Sequence, residues 1–195
     1  MTHLWVRAES RAHEERVGLT PDGAAQLMAA GIRVTVEHSV QRAIPIDGYA
    51  TTGCEIAPEG SWVDAPADAI IFGLKELPDD GTPLHHRHIM FGHAYKGQTS
   101  GRILLDRFQA GGGTLYDLEY LLDADGRRVA AFGYWAGYVG AALGALACNA
   151  VEKENTFKLL AGQKFFSTKN ELLKFITAQT KPSSSSAIVI GAKGR

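Results

Sequence analysis

Short apolar runs alternate with helix-like segments over the first two thirds of the chain, and this rhythm limits the fold more than any other feature. Residues 4–6 read as a strand. Thr20-Pro21 then opens a helix, with Thr as N-cap and Pro at the first helical position, and Gly31 closes it. Residues 32–37 are β-rich and alternate, a second strand, and residues 47–52 look like a short helix before Gly53. Residues 69–72 and 89–91 are brief apolar runs of the kind buried in parallel sheets. Residues 102–109 have helical spacing and lead into Gly111-Gly112-Gly113, after which residues 114–117 make a further strand. Residues 120–131 read as a hairpin around Asp123-Ala124-Asp125-Gly126. Such a β-α-β-α order predicts an α/β fold: an open parallel sheet with helices on both faces.

One stretch tests that reading. From Val129 to Val151 there are 23 residues without a charge, with Gly133, Gly137, Gly140 and Gly144 at GxxxG spacings. The length would span a bilayer, and the spacings would pair helices within one. Ala and Gly outnumber Leu and Ile, however, and Asn149 intrudes. The preferred reading is therefore a helix buried through close backbone packing. Helical segments at 155–161 and 169–178 follow, then Lys181-Pro182 and the polar run 183–186. The chain ends on Ala187-Ile188-Val189-Ile190 and Gly191-Ala192-Lys193-Gly194-Arg195. An apolar strand running into G-x-x-G is how a nucleotide-binding βα unit begins, although the spacing alone fits a plain glycine turn equally well. The expected fold is thus a Rossmann-like sheet plus the truncated start of a second such domain, and the chain reads as a fragment or a prematurely ended product.

Lys and Arg number 20 against 21 Asp and Glu, a net charge of −1, which gives nucleic acid or an anionic membrane no electrostatic footprint. Cys54 and Cys148 form no disulfide or zinc framework, and the N-terminus has no signal-peptide order. A soluble, cytoplasmic protein is expected, with no membrane partner.

Polar residues stand where apolar runs end. Lys75 follows Ile70-Ile71-Phe72-Gly73-Leu74, and His93 follows Ile89-Met90-Phe91-Gly92. In an open parallel sheet those ends line the ligand crevice, so a base and an acid–base group from different strands would share one cavity. Lys75 also reads as a loop cation beside Glu76, and His93 as a core or capping histidine. Arg16, behind Glu14-Glu15, is suited to clamp a carboxylate bidentately or to form a surface ion pair. Of Arg127-Arg128, at least one is expected to have an anionic partner. His85-His86-x-His88 lacks nearby cysteines and is read as a loop with no metal.

Several collinear stretches resemble the lysine-forming, NAD-dependent saccharopine dehydrogenases: LWVRAE at 4–9, ERVGLTP at 15–21, GSW at 60–62, GLKE at 73–76, HAYKGQ at 93–98, GTLYDLE at 113–119 and GRRVAAFGYWAGYVGAALG at 126–144. More distantly the chain is similar to the N-terminal domain shared by alanine dehydrogenase and proton-translocating transhydrogenase. The resemblance implies that Lys75 is the general base and His93 its acid–base partner. It implies that Arg16, Gln98, Arg128 and Phe132 contact saccharopine with Lys75, that Glu119 tunes the site, and that Arg127, Gly191, Gly194 and Arg195 belong to NAD. The implied reaction oxidises the secondary amine of saccharopine and hydrolyses the imine to lysine and 2-oxoglutarate. The lysine-ketoglutarate reductases, the alanine dehydrogenases and a non-catalytic binding module stay as alternatives. The implied division is a substrate domain at 1–132, followed at 133–195 by connecting helices and the first strand of an NAD-binding domain. From residues 1–195 alone the expectation is weak substrate binding without NAD affinity or turnover, and the resemblance leaves open a monomeric full-length enzyme.

Overall fold

The apolar runs form β1 (His3–Val6), β2 (Arg33–Glu37), β3 (Glu55–Ala57), β4 (Ile70–Phe72), β5 (Arg87–Met90) and β6 (Thr114–Asp117). These make one six-stranded sheet in the order β3-β2-β1-β4-β5-β6, with every neighbouring pair parallel. The computed structural model describes residues 1–75, 77–131, 133–151, 166 and 168–179. Contacts divide the chain into Met1–Ala130 and Ala131–Arg195, and the sheet lies wholly in the first.

Period-two alternation sorts the strand side chains onto two faces, both covered. Leu4, Val6, Val34, Val36 and Phe72 pack against Ala24 of α1 (Pro21–Ala29) and Tyr49 of α2 (Ile46–Thr51). On the opposite face Trp5 and Ile71 meet Ala65, Ala69 and Trp62, while Met90 and Leu115 meet Leu104 and Phe108 of α3 (Thr99–Gly111). Each fully buried aliphatic side chain contributes roughly 1.5–3 kcal/mol, and Val6, Val34, Val36 and Ile71 are among them. Thr20 caps α1 as its sequence position predicts, its hydroxyl accepting the Gly23 N–H at 3.1 Å.

The glycine run after α3 has a steric cause. Gly112 ends the helix at φ 72°, and a Cβ on Gly111 or Gly113 would strike the Leu84 carbonyl. That carbonyl belongs to the crossover from β4 to β5, which contains no helix among its described residues. The crossover is instead tied down by buried Arg107, which donates to the Pro78 (2.6 Å) and Thr82 (2.7 Å) carbonyls and pairs with Asp80 at 2.8 Å.

Three expectations need correction. β5 begins before residue 89, because Arg87 and His88 pair with β4 and β6 despite their polarity. The hairpin at 120–131 keeps its turn but not its ladder. Gly126 sits at φ 73° and Asp123 Oδ1 accepts the Asp125 and Arg127 N–H groups, yet only an isolated Leu122–Arg128 bridge forms.

The third concerns the glycine-rich helix, α4 (Gly133–Val151), in the second unit. Among the described residues, a Cβ at Gly137, Gly140 or Gly144 would touch nothing within 4 Å, and Tyr134 and Trp135 are exposed. The side bearing Ala142 and Leu146 is buried, where among the described residues α4 packs against α5 (Lys169–Gln179). Among the described residues, the close backbone packing expected of those glycines is therefore not present. No described helix is long and apolar enough to cross a membrane. The helix expected at 155–161 lies outside the described residues.

Candidate active site

The chain places β2 and β3 on one side of β1, then returns to place β4, β5 and β6 on the other. The connections therefore diverge between β1 and β4, and in open α/β sheets the ligand crevice forms outside the strands' carboxyl ends at such a switch point. Because all the strands are parallel, the loops leaving β1, β4, β5 and β6 emerge at this one edge. Those loops carry Arg16, Lys75, His93 with Gln98, and Glu119.

Lys75 is half-buried beyond the end of β4. Arg16 forks onto Glu14 through Nε (2.7 Å) and Nη2, which is the ion pair that stood as the alternative to a substrate clamp. Those hydrogen bonds hold the Glu14 carboxyl below the usual carboxylate range, and the nearby Lys75 ammonium adds to the effect. The same pair raises Arg16 above the ordinary arginine value.

His93 lies beyond β5 at φ 51°, a left-handed conformation uncommon for a non-glycine residue. The preceding Gly92 N–H donates to Asp117 Oδ1 at 3.2 Å, so the last residue of β6 holds the loop in place. His93 lines a cavity of about 230 Å³ with Gln98, Arg11, Ser100, Asp79 and Arg107, and Lys75 does not line it. Gln98 is the N-cap residue of α3 without capping through its side chain. Glu119 accepts from Lys96 Nζ at 2.8 Å and pairs with Arg128 at 3.1 Å. The Lys96 hydrogen bond, then the charges of Arg128 and His93, hold its carboxyl below the usual range. Arg128 is thus the member of the Arg127-Arg128 pair with the expected anionic partner. Arg127 is exposed and only loosely opposed by Asp125 at 4.0 Å.

The structure accordingly brings Lys75 near Glu14 and Arg16, and His93 near Gln98, Glu119 and Arg128. Phe132, Gly191, Gly194 and Arg195 lie outside the described residues. Arg7, Glu9, Lys96 and Asp117 were not singled out from the sequence, and Glu14 was named only as one of the acids ahead of Arg16. Their one signal is position: Arg7 and Glu9 follow the first strand as Lys75 follows the fourth, and Asp117 ends the sixth.

Two further features concern metal and dinucleotide binding. His85 Nδ1 donates to Gly111 O and His86 Nε2 to Ala65 O, and no group of three His, Cys, Asp or Glu among the described residues is arranged to hold a metal. At the end of β2, where dinucleotide-binding sheets hold a ribose with an acid, the Glu37 carboxylate is buried. It accepts Trp5 Nε1, Ala8 N, Gly60 N and Trp62 N at 2.6–3.0 Å, so it has little left to offer a ribose. The first sheet does not fit a dinucleotide at that place.

The profile described as "Alanine dehydrogenase/PNT, N-terminal domain" matches residues 5–139. The chain is 54% identical over 145 residues to the Schizosaccharomyces pombe protein named saccharopine dehydrogenase [NAD(+), L-lysine-forming], covering 74% of this chain and 39% of that one. It is 46% identical over 201 residues to the protein of the same name from Emericella nidulans, covering 98% and 53%. The chain spans about half the length of the curated relatives it matches. Among solved structures, an L-alanine dehydrogenase superimposes with TM-score 0.53 at 14% identity over 91% of this chain and 52% of that chain, which shows the fold.

Proposed function

The chain belongs to the alanine dehydrogenase/PNT N-terminal-domain family, and from that premise we propose that it is the substrate-binding part of an enzyme that cleaves L-saccharopine with NAD and water to L-lysine, 2-oxoglutarate and NADH. The 54% and 46% identity to two proteins named for that reaction supports this over alanine oxidation, for which a family match and a shared fold at 14% identity speak. The observation that carries the proposal is the delivery of an amine and an imidazole, Lys75 and His93, to one sheet edge by the adjacent parallel strands β4 and β5.

In this proposal residues 1–132 bind substrate, and 133–195 connect to and begin a dinucleotide-binding domain. Lys75 takes the proton from the secondary amine of saccharopine as that amine is oxidised. His93 then moves the protons of water addition to the resulting imine. Arg16, Gln98, Arg128 and Phe132 hold the substrate, whose three carboxylates call for guanidinium partners. Glu119 anchors Lys96 and Arg128 beside His93. NAD, held through Arg127, Gly191, Gly194 and Arg195, would supply the hydride acceptor. A place in lysine biosynthesis in the cytoplasm, with small molecules rather than nucleic acid as partners, completes the proposal.

The test is the complete polypeptide that carries this sequence, given saccharopine and NAD. NADH, lysine and 2-oxoglutarate should appear in equal amounts, while L-alanine should give none. Oxidation of alanine, or no reaction with saccharopine, would overturn the proposal.

A further inference from the structure

Lys75 lies beyond the last paired residue of β4. The sheet's backbone hydrogen bonds run on as far as the Leu74 carbonyl, which accepts the Phe91 N–H at 3.1 Å, and the Lys75 N–H and carbonyl find their partners elsewhere. The Lys75 main chain is held on both sides of Cα by two buried charged residues from the loop that leaves β1. Glu9 Oε2 accepts the Lys75 N–H at 3.0 Å, and Glu9 Oε1 accepts the neighbouring Leu74 N–H at 2.6 Å. Arg7 Nη2 donates to the Lys75 carbonyl, and Arg7 Nη1 reaches Glu9 Oε2 at 3.5 Å. Arg7 is 2% and Glu9 7% exposed. Gln41 Nε2 donates to the Glu9 carbonyl at 2.6 Å and steadies Glu9 in turn. Gly73 makes this possible, because a Cβ there would collide with the Arg7 guanidinium.

We propose that Arg7 and Glu9 are positioning residues for Lys75, a charged clamp across the β1/β4 junction that fixes the Lys75 backbone and thereby aims its amine. The proposal rests on the reading of Lys75 as the base. Its chemical logic is that proton transfer needs the amine within hydrogen-bond reach of its partner. A long flexible side chain on a loop reaches that geometry reproducibly only if its Cα–Cβ direction is fixed. A buried ion pair serving the fold alone would have no need to grip both polar groups of this particular residue. The clamp also accounts for two separate sequence stretches together, the Arg7-Ala8-Glu9 that follows β1 and the Gly73-Leu74-Lys75 that follows β4.

Two variants attack the clamp from different sides. Glu9→Gln replaces one accepting oxygen by an amide N–H, so either Leu74 or Lys75 loses its partner. Gly73→Ala pushes a methyl group against the Arg7 guanidinium and leaves Glu9 and Lys75 untouched. In the complete polypeptide, kcat for saccharopine should fall about 10²-fold while KM stays within about threefold. The limb of the pH–rate profile that reports the base should also shift. In the isotope-labelled chain without substrate, the Lys75 backbone and side-chain NMR signals should move while those of β2 and α1 stay in place. Should Glu9→Gln fail to fold, Gly73→Ala decides alone. A folded variant with kcat within about threefold of the parent, or with unmoved Lys75 signals, would overturn the clamp. If the parent does not turn over saccharopine, it is the proposed function that fails, and the Lys75 signals alone decide the clamp.

Discussion

Replacing Lys75 by methionine is expected to lower saccharopine turnover by about 10²–10⁴-fold, the usual contribution of a positioned proton-transfer group, with a much smaller change in KM. Methionine keeps an unbranched stem of similar reach but carries no titratable nitrogen. The hydrogen bonds that hold this residue run to its main chain, from Glu9 and Arg7, so the loop should keep its course after the substitution. Ground-state binding rests on other groups, Arg16, Gln98 and Arg128 in this account, which is why kcat rather than KM should carry the loss. Steady-state kinetics across pH measure it. The variant should also lose the limb of the profile that reports the base. A loss of less than about tenfold, or one confined to KM, would mean that the proton leaves by another route.

The second large effect is on stability. His88 lies in β5 between Trp62 and Phe108, with edge-to-face ring centroids at 5.2 and 5.3 Å, and it is 1% exposed. Neither ring nitrogen has a hydrogen-bond partner. Burial pushes its pKa from 6.5 down to about 3, and the charges of Arg7, His86 and Arg107 push the same way. The folded protein therefore holds His88 neutral at a pH where the unfolded chain protonates it. Between these two values the unfolded state binds the extra proton, so stability rises with pH across that window and falls on acidification. The loss starts as pH drops below about 6.5 and is complete near pH 3. At 1.36 kcal/mol per pKa unit it amounts to something on the order of 5 kcal/mol.

Carboxylates held low by their partners, such as Glu14 and Glu119, begin to weaken the fold only below their ordinary value of 4.5. Their signs agree with that of His88, but their window lies lower. Urea denaturation of the parent and of His88→Leu at a series of pH values separates the two. Between pH 6.5 and 4.5 the variant's slope should be far smaller than the parent's, the remainder coming from His3, whose pKa burial also lowers. An equal slope in both proteins would show that His88 is not the group responsible.

The central strands were legible because each is a short apolar run, and the structure pairs residues 4–6, 34–36 and 70–72 in one parallel register. β3 was not, since Glu55 and Ile56 are exposed on an edge strand and only Ala57 is buried. The start of β5 was hidden by Arg87 and His88, whose place in the sheet comes from neighbours rather than from polarity. The glycines of α4 suggested close packing, yet glycine spacing only permits an approach, and no partner for it stands among the described residues. At the site, the position of Lys75 and His93 beyond apolar runs was enough to nominate both. What held them was not visible. The Glu9 bonds span 65 and 66 positions of sequence and the Gly92–Asp117 bond 25. Such contacts are set by strand order, and strand order appears in no local pattern.

The measurement that bears most directly on this account is an NMR titration of the isotope-labelled chain with saccharopine. The crevice at the carboxyl edge of the sheet predicts saturable displacement of signals from Arg16, Lys75, His93, Gln98 and Arg128. The amino-terminal ends of the strands, at His3, Arg33 and Arg87, should stay where they are. Displacements confined to those amino-terminal ends or to Ala131–Arg195, or no saturable change at any concentration, would contradict the assignment of this edge as the substrate site.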